Sequence, residues 1–518
     1  MTEIFQNLTD VLNDIEINRL LKHGKIGFEK ECLRVVNNQI SQSPHPISIG
    51  SSLCSKYITT DFSEAQLELI TPPYDNNINA LRFLDDIQHF VSNNLGNEIL
   101  WPFSVPPNID SDRHIPIGKY GISNEGKFRE LYRKGLAQRY GRQMQSISGF
   151  HVNYSLSEDI WELPLLKKST SCIKDLRSES YMNMLRNIFE MNWIILFLFG
   201  STPVIPKKLS NIIGGSQKPL NGSLIYMPYA TSLRMSDFGY NNLIRSKLKV
   251  SLNSTEEYTS DLLEATKTIS EAFHKISLDK TNQMQQINSN VLQIEDEYYA
   301  VARAKSKIQS KDRLLKKLKI GGINYIELRS LDLNPFNRLG IEFESVLFIE
   351  LLLVYCFFKK SRKFNKNEIQ KIIENDLNVS KYGRKPNLHL LRNNKKVSLV
   401  KWGNDILDEM TLVAEKFGEQ SEDYLNIINK YRLQINDPRE TLSALFLDQI
   451  TLNKNSFVNF GNHLGEERRK YYSEIKQVKN KNWEYLAEEA KKSVLRQSKL
   501  ENTSEKSFDK YVRDYFKL

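Results

Sequence analysis

This 518-residue chain has only four cysteines, and Cys32, Cys54, Cys172 and Cys356 show none of the paired spacing of a metal site. That speaks against a thiolate metal site. A reducing compartment, expected below, argues against a disulfide framework, and each thiol reads as a small apolar core residue. There is no G-x-x-x-x-G-K-[ST] string and no G-x-G-x-x-G behind a strand, so neither glycine-rich phosphate cradle is available. No Ser/His/Asp order or reactive-cysteine signature is present, which lowers hydrolase and thiol-nucleophile readings. Long apolar runs are scarce as well. Trp193–Phe199 is far short of the roughly 20 residues that span a bilayer, and the run Val346–Phe358 is interrupted by Glu350, so both read as buried helices. The opening residues Met1-Thr2-Glu3-Ile4-Phe5-Gln6-Asn7 lack the basic and apolar parts of a secretion signal, which makes the cytoplasm the expected location. No Gly/Ser- or Pro-rich linker and no fixed-period repeat divides the chain.

A charge excess is present, 72 Lys and Arg against 62 Asp and Glu, but it is spread along the whole chain. That pattern describes a Lys-rich solvated surface better than a nucleic-acid stripe. More specific are six candidate metal ligands on four short segments: Glu29 and Glu31 in Gly27-Phe28-Glu29-Lys30-Glu31, Asp61 and Glu68 between Thr60 and Glu68, His151 in Phe150-His151-Val152-Asn153-Tyr154, and Glu327 in Tyr325-Ile326-Glu327-Leu328-Arg329. Strand side chains alternate between faces, so Glu29 sits with Glu31, Glu64 with Gln66 and Glu68, and Glu327 with Arg329. Ala65, Leu67, Leu69, Phe150, Val152, Tyr154, Ile326 and Leu328 then share the opposite, apolar face. A lone carboxylate is an ordinary surface residue; acids recurring on strands beside apolar partners are not. His151 faces the polar side by this alternation, as a ligand or as a hydrogen-bonded core histidine. An acidic sheet face suits hard divalent cations that carry nucleotide phosphates, and this points to an ATP-dependent enzyme.

Leu8, Val11, Leu12 and Ile15 recur at helical spacing and predict a helix before about Lys25. Strands are expected to dominate Ile26 to Ile70, with a helix from about Ile78 to Leu95, a loop at Pro106 to Lys127 and a basic helix over Phe128 to Met144. Further strands are predicted at Ser223–Pro228, Gln286–Ile294 and Ile323–Leu331. The chain from about Ile341 reads as mainly helical and ends in a helix that gathers Phe508, Tyr511, Val512, Tyr515 and Phe516 on one face, read as packing on the body. Distant strands carry complementary pieces of one acidic site. The expected fold class is therefore α+β, a single domain over 1–518 around one largely antiparallel sheet, with a helical elaboration from about residue 341.

Several strings are also familiar: Gly27-Phe28-Glu29-Lys30-Glu31-Cys32-Leu33-Arg34, Thr59-Thr60-Asp61-Phe62-Ser63-Glu64, Trp101-Pro102-Phe103-Ser104, Tyr226-Met227-Pro228-Tyr229-Ala230-Thr231-Ser232-Leu233-Arg234, Gln286-Ile287-Asn288-Ser289-Asn290-Val291-Leu292-Gln293-Ile294-Glu295 and Tyr325-Ile326-Glu327-Leu328-Arg329-Ser330-Leu331-Asp332. In this order they closely resemble the bacterial glutamate-cysteine ligase family, from about Gly24 to Arg384-Lys385-Pro386 and more weakly to the C-terminus. The resemblance implies a glutamine-synthetase-like fold whose antiparallel sheet forms a funnel surrounded by helices. It implies ATP as co-substrate, Mg²⁺ or Mn²⁺, and ligation of the γ-carboxylate of L-glutamate to the amine of L-cysteine, by a monomer with no nucleic-acid or membrane partner.

Carried over residue by residue, Glu29, Glu31, Asp61, Glu68, His151 and Glu327 become metal ligands, with Glu327 and Arg329 as catalytic residues and Arg329 as the phosphate contact. Arg133 and Arg234 become substrate-carboxylate contacts, since a guanidinium fork matches two carboxylate oxygens. Phe62, Tyr132, Leu136, Gln145, Tyr240 and Tyr299 fall where the family builds its cysteine pocket; without the resemblance they read as ordinary core. Pro107 stands where some relatives have a cysteine, so no redox-linked disulfide is expected there. Two rival readings are a glutamate ligase using another amine acceptor, and a non-catalytic RNA-binding protein using the Lys-rich stretch Lys359–Lys396.

Overall fold

The computed structural model describes residues 12–13, 21–107, 111–163, 172–207, 216–220, 224–237, 248–276, 284–308, 312–452, 456–475, 480–503 and 506–517. In chain order its strands are β1 (Lys25–Val36), β2 (Gln39–Ile40), β3 (Ile58–Thr60), β4 (Gln66–Ile70), β5 (Ile99–Leu100), β6 (Phe150–Ser155), β7 (Val204–Pro206), β8 (Lys218–Leu220), β9 (Leu224–Tyr226), β10 (Ala302–Lys305), β11 (Tyr325–Leu331), β12 (His389–Arg392) and β13 (Lys395–Ser398). The main sheet runs β10-β11-β6-β1-β4-β3, with β2 and β5 also paired to β1. Every pairing in it is antiparallel.

Alternation puts Ile26, Phe28, Cys32, Leu67, Leu69, Phe150, Val152, Tyr154, Ala302, Ala304, Ile326 and Leu328 on one side of this sheet. All of them join one large core with the helix Ile173–Phe199 and the C-terminal helices. Each fully buried Leu, Ile or Phe there contributes about 1.5–3 kcal/mol relative to exposure. Ala65 does not join them: β4 begins only at Gln66, and Ala65 packs in a second cluster with Leu33, Val35 and Trp101. Lys30 shares the parity of Phe28 and Cys32, and so enters the apolar side. It is buried, donates to Gln88 Oε1 and to the Arg338 carbonyl, and burial pulls its amine down to about 7.

Helix α1 (Asn77–Asn94) starts where the Asn76 side chain accepts from the Ile78 and Asn79 amides. Helix α2 (Asn124–Tyr140) is capped by Ser123 and stops at Gly141, whose φ of 81° a residue with a Cβ would resist. Helix α3 (Ile173–Phe199) and helix α4 (Phe343–Phe358) carry the two apolar runs and are buried nearly throughout against the sheet's apolar side. No described helix is long and apolar enough to cross a membrane.

The predicted helix over Leu8 to Ile15 lies almost wholly outside the described residues. Residues 224–226 form a strand as expected, but in a separate three-stranded sheet with β7 and β8. Gln286–Ile294 is not a strand: it is coil touching Ile269 through one isolated bridge at Asn290. The mainly helical C-terminal region contains a hairpin, β12–β13, whose turn residues Asn393 and Asn394 have φ of 50° and 65°. An Asn pair between apolar-alternating segments is a two-residue hairpin signal, and it recurs at Asn37-Asn38 between β1 and β2.

The last helix, α5 (Phe508–Tyr515), docks as expected. Phe508, Tyr511, Val512, Tyr515 and Phe516 pack on Phe128, Leu131, Ile287 and Ile294, with the Phe128 and Tyr515 ring centroids 4.5 Å apart. The Trp101-Pro102-Phe103-Ser104 string is architectural. Trp101 donates to the Val105 carbonyl and Phe103 packs edge-on against Phe446, while Ser104 links the Leu333 amide to the Ser148 amide. The Trp101 ring rests against Gly461, where an added Cβ would strike it. Gly461→Ala should cost about 1–3 kcal/mol by overpacking, read as a lower denaturant midpoint with an unchanged slope. A midpoint equal to the parent's would show that this contact yields freely.

Candidate active site

The polar side of the main sheet is where the sequence placed its carboxylates. Antiparallel register sets Glu29 opposite His151, Glu31 opposite Glu68, and Glu327 opposite Asn153. His151 is the hub. Its Nδ1 lies 3.2 Å from Glu29 Oε2 and 3.6 Å from Glu327 Oε1, and its Nε2 lies 3.3 Å from Glu31 Oε1. Two trios result, Glu29–His151–Glu327 and Glu31–Glu68–His151, in each of which one ligand atom per residue lies within 4.8 Å of the others. This histidine is buried, among carboxylates rather than in the apolar core.

The four glutamates divide into two kinds. Burial pushes Glu29 up and Glu327 adds to it, but the His151 hydrogen bond with the His151 and Lys305 charges brings it below the usual carboxylate value. Burial likewise opposes ionisation of Glu327, yet Arg329, Lys305, His151 and Arg303 hold it well below. Glu31 is raised, by burial first and then Asp61, against the pull of His151, Arg234 and Arg329. Glu68 is raised furthest, by burial and by Glu29, Asp61 and Glu31, with only the Thr59 hydroxyl, 3.1 Å away, in its favour. Glu31 and Glu68 are thus ionised only at a cost that a bound cation would remove.

Asp61 is close enough to act on both Glu31 and Glu68 but belongs to neither trio. Glu64, expected beside Gln66 and Glu68, instead accepts from the His45 and Lys119 amides and fastens a loop. Arg329 pairs with Glu327. Arg234 is 1% exposed, donates to the Arg329 carbonyl, lies against Gly149 and stands 3.7 Å from Asp332. Asp332 also accepts from the Ser201 amide and the Thr202 and Ser232 hydroxyls, so it fixes the segment that carries Arg234. Arg133, on α2, reaches the Asp61 carbonyl and lies over the Tyr120 ring.

Of the remaining predicted residues, Tyr132 and Leu136 share helix α2 with Arg133. Phe62 and Leu136 share one apolar cluster against which Tyr132 packs, and Tyr299 donates to Gln145 Oε1 at 2.7 Å. Gln145 Nε2 is buried without a hydrogen-bond partner among the described residues. Tyr240 lies outside the described residues. The coil 286–295 explains why these side chains are held. Arg139 of α2 donates to Gln286 Oε1, the Asn288 and Asn290 carbonyls and Glu297 Oε1, and Gln293 bridges the Ile287 amide and the Tyr132 carbonyl.

Sequence reasoning missed Asn153, which donates to Glu29 Oε1 at 2.9 Å, and Lys305, 2.7 Å from Glu327 Oε2. The signal for Lys305 was present as a period-two run, Ala302-Arg303-Ala304-Lys305, with small core residues alternating with cations. Asn153 likewise shares the parity of His151.

Comparison with known proteins places the chain among its relatives. The family model "Glutamate-cysteine ligase" matches residues 9–379. The glutamate–cysteine ligase of Pseudomonas fluorescens is 34% identical over 522 residues, covering 99% of this chain and 97% of its own. That of Alcanivorax borkumensis is 34% identical over 95% of both chains. A crystal structure of glutamate–cysteine ligase from Francisella tularensis in complex with AMP superimposes with a TM-score of 0.89 at 30% identity, over 95% of this chain and 97% of that one. A bifunctional glutathione synthetase from Pasteurella multocida shares the fold, with a TM-score of 0.69 at 24% identity over 90% of this chain and 54% of that one. The chain belongs to the glutamate–cysteine ligase family.

Proposed function

We propose that the protein joins the γ-carboxylate of L-glutamate to the amine of L-cysteine with ATP, giving γ-glutamylcysteine, ADP and phosphate, the first step of glutathione biosynthesis. Within the family just established, the observation that carries this reading is the pair of carboxylate trios meeting at His151. The donor set fits divalent cations: buried glutamates in excess of their counter-charges, and a His151 Nε2 with no hydrogen-bond partner among the described residues. Oxygen donors suit Mg²⁺, and one imidazole keeps Mn²⁺ acceptable. The direct test is ADP and phosphate release by the purified protein with glutamate and Mg²⁺, with and without cysteine, alongside detection of γ-glutamylcysteine. Absence of the dipeptide would overturn the assignment. Equal turnover with unrelated amines would favour a ligase of another acceptor.

Glu29, Glu31, Asp61, Glu68, His151 and Glu327 are assigned as the ligands. Bound there, the cations supply neutralisation of phosphate charge. The His151 tautomer follows from its contacts: Nδ1–H donates to Glu29, which leaves the Nε2 lone pair facing Glu31 and Glu68. Arg329 holds the moving phosphoryl group, and Arg234 and Arg133 orient substrate carboxylates. Phe62, Tyr132, Leu136, Gln145, Tyr240 and Tyr299 enclose the cysteine side chain. The same reading makes the polar sheet face the wall of a glutamine-synthetase-like funnel, and the chain one catalytic unit working as a monomer. A cytoplasmic location accords with four free cysteines. The Lys-rich stretch gives little support to RNA binding, since Lys359, Arg362, Lys381 and Arg392 each pair with a carboxylate.

Glu29→Gln and Glu327→Gln keep the shape but lose ligand charge, so turnover at saturating Mg²⁺ should fall on the order of 100-fold or more. Near-parent turnover in a folded variant would remove that residue from the ligand set. Arg329→Lys should also be damaging, because a point charge cannot reproduce two parallel hydrogen bonds.

Glu68 and Glu31 titrate above their ordinary 4.5 in the folded, cation-free protein. Between that value and the raised one, the folded state holds more protons than the unfolded chain, so stability falls as pH rises. Glu29 and Glu327 act oppositely, their contribution being lost as pH drops below 4.5 through their depressed values. Relative to the parent, Glu68→Gln should therefore flatten any decline in the melting temperature of cation-free protein as pH is raised above 4.5. A decline of equal slope in Glu68→Gln would place the repulsion elsewhere.

An enclosure built from aromatic and aliphatic surfaces reads the thiol by size. 2-Aminobutyrate, with a methyl in place of the thiol, should remain an acceptor, with kcat/KM lower than for cysteine by about 10- to 200-fold. Leucine should fail on volume, and Leu136→Ala should relax that exclusion. Complete rejection of 2-aminobutyrate would mean that a polar or metal contact recognises the thiol.

A further inference from the structure

Both carboxylate oxygens of Glu327 are held by cations of the chain itself. Oε1 pairs with Arg329 Nη1, and Oε2 lies 2.7 Å from Lys305 Nζ. The two contacts differ in kind. Arg329 makes a hydrogen bond, whereas Glu327 Oε2 has no hydrogen-bond partner among the described residues, so the ammonium sits beside it as an ion without donor alignment. Register explains the placement. Arg303 stands directly opposite Glu327 and Lys305 opposite Tyr325, so Lys305 reaches Glu327 along the diagonal, with Ala302 and Ala304 anchored in the core beneath. Arg303 is engaged elsewhere, on the Tyr298 and Asp296 carbonyls. The Glu327 side chain is 1% exposed, and that of Lys305 is 23% exposed at its edge. Without a cation nearby Glu327 would be a buried uncompensated charge, costly to the fold.

A divalent cation held by Glu29 and Glu327 needs a Glu327 oxygen, and the ammonium occupies one. Two cations within a few ångströms of one another repel, and a lysine on a flexible stem can swing away where a buried fork cannot. We infer that Lys305 is a place-holding cation: it guards Glu327 in the cation-free protein, is displaced when a metal–nucleotide complex arrives, and moves onto the polyphosphate, where it stays as a nucleotide-binding residue. The inference rests on the ligand assignment of Glu327 above. Lys305 then opposes bare metal and favours metal with nucleotide, which couples the two occupancies positively.

The test is binding rather than turnover, on the full chain. Lys305→Met should bind Mn²⁺ alone about tenfold more tightly and Mg²⁺ with β,γ-imido-ATP about tenfold more weakly, the scale of one charge-assisted contact. Lys307→Met is the control for charge alone: Lys307 lies two residues further along and pairs with Glu158. Its two affinities should stay within about twofold of the parent's at physiological salt, where distant surface charges are screened. Lys305→Gln serves if the Met variant is unstable. Unchanged or weaker Mn²⁺ binding in the Lys305 variant overturns the place-holding role, as does an equal shift in Lys307→Met. Mn²⁺ affinity unaffected by Glu327→Gln would remove the metal reading of that trio instead, a result distinguishable from failure at Lys305 alone.

Discussion

Like charge forced together on a buried surface is the constraint on which the site depends. Antiparallel register brings Glu29, Glu31, Glu68 and Glu327 around one imidazole, and the sheet that does so is fixed from behind by the largest apolar core among the described residues. The carboxylates cannot spread apart without breaking strand pairing. They cannot all be ionised without counter-charge either, as the raised Glu31 and Glu68 record. The stability of the sheet is in this sense what holds a charge distribution that would otherwise relax, a common relation between scaffold and site.

Around that centre the fold spends few regular elements and many polar contacts. Asp332, at the end of the β11 motif, collects the Ser201 amide, two hydroxyls and Arg234, tying two separate segments to one buried carboxylate. The coil 286–295 does the corresponding task on the other side. Arg139 and Glu297, both fully buried side chains, pair at 2.9 Å, and Tyr140 donates to the same carboxylate. Truncating one member of such a pair leaves the other charged and unpaired, so these coil contacts are stiff. Helix α5 then covers the coil and Phe128 from outside.

Period-two alternation read in the sequence placed Glu29, Glu31, Glu68, His151 and Glu327 on one face, and the structure puts them there. It also placed the apolar partners, except Ala65, because a strand start cannot be fixed to one residue from composition. The segment 286–294 failed for a different reason. Its alternating Asn, Ser and apolar residues resemble a strand, but Asn288 and Gln293 satisfy backbone groups within the loop itself, which removes the need for a ladder. The alternation Ala302-Arg303-Ala304-Lys305 marks Lys305 as facing the polar side, but only the β10–β11 pairing gives it a partner. Local strings locate strands, whereas which cation meets which carboxylate is a property of register.

The central claim is that the sheet face binds divalent cations through the two trios. Anomalous diffraction from crystals grown with Mn²⁺ and a nonhydrolysable ATP analogue tests it most directly. The account predicts manganese coordinated by Glu31, Glu68 and the Nε2 atom of His151, and manganese at Glu29 and Glu327, with metal–oxygen distances near those of six-coordinate hard cations. Manganese found only away from these carboxylates, in crystals of protein that makes γ-glutamylcysteine in solution, would contradict it.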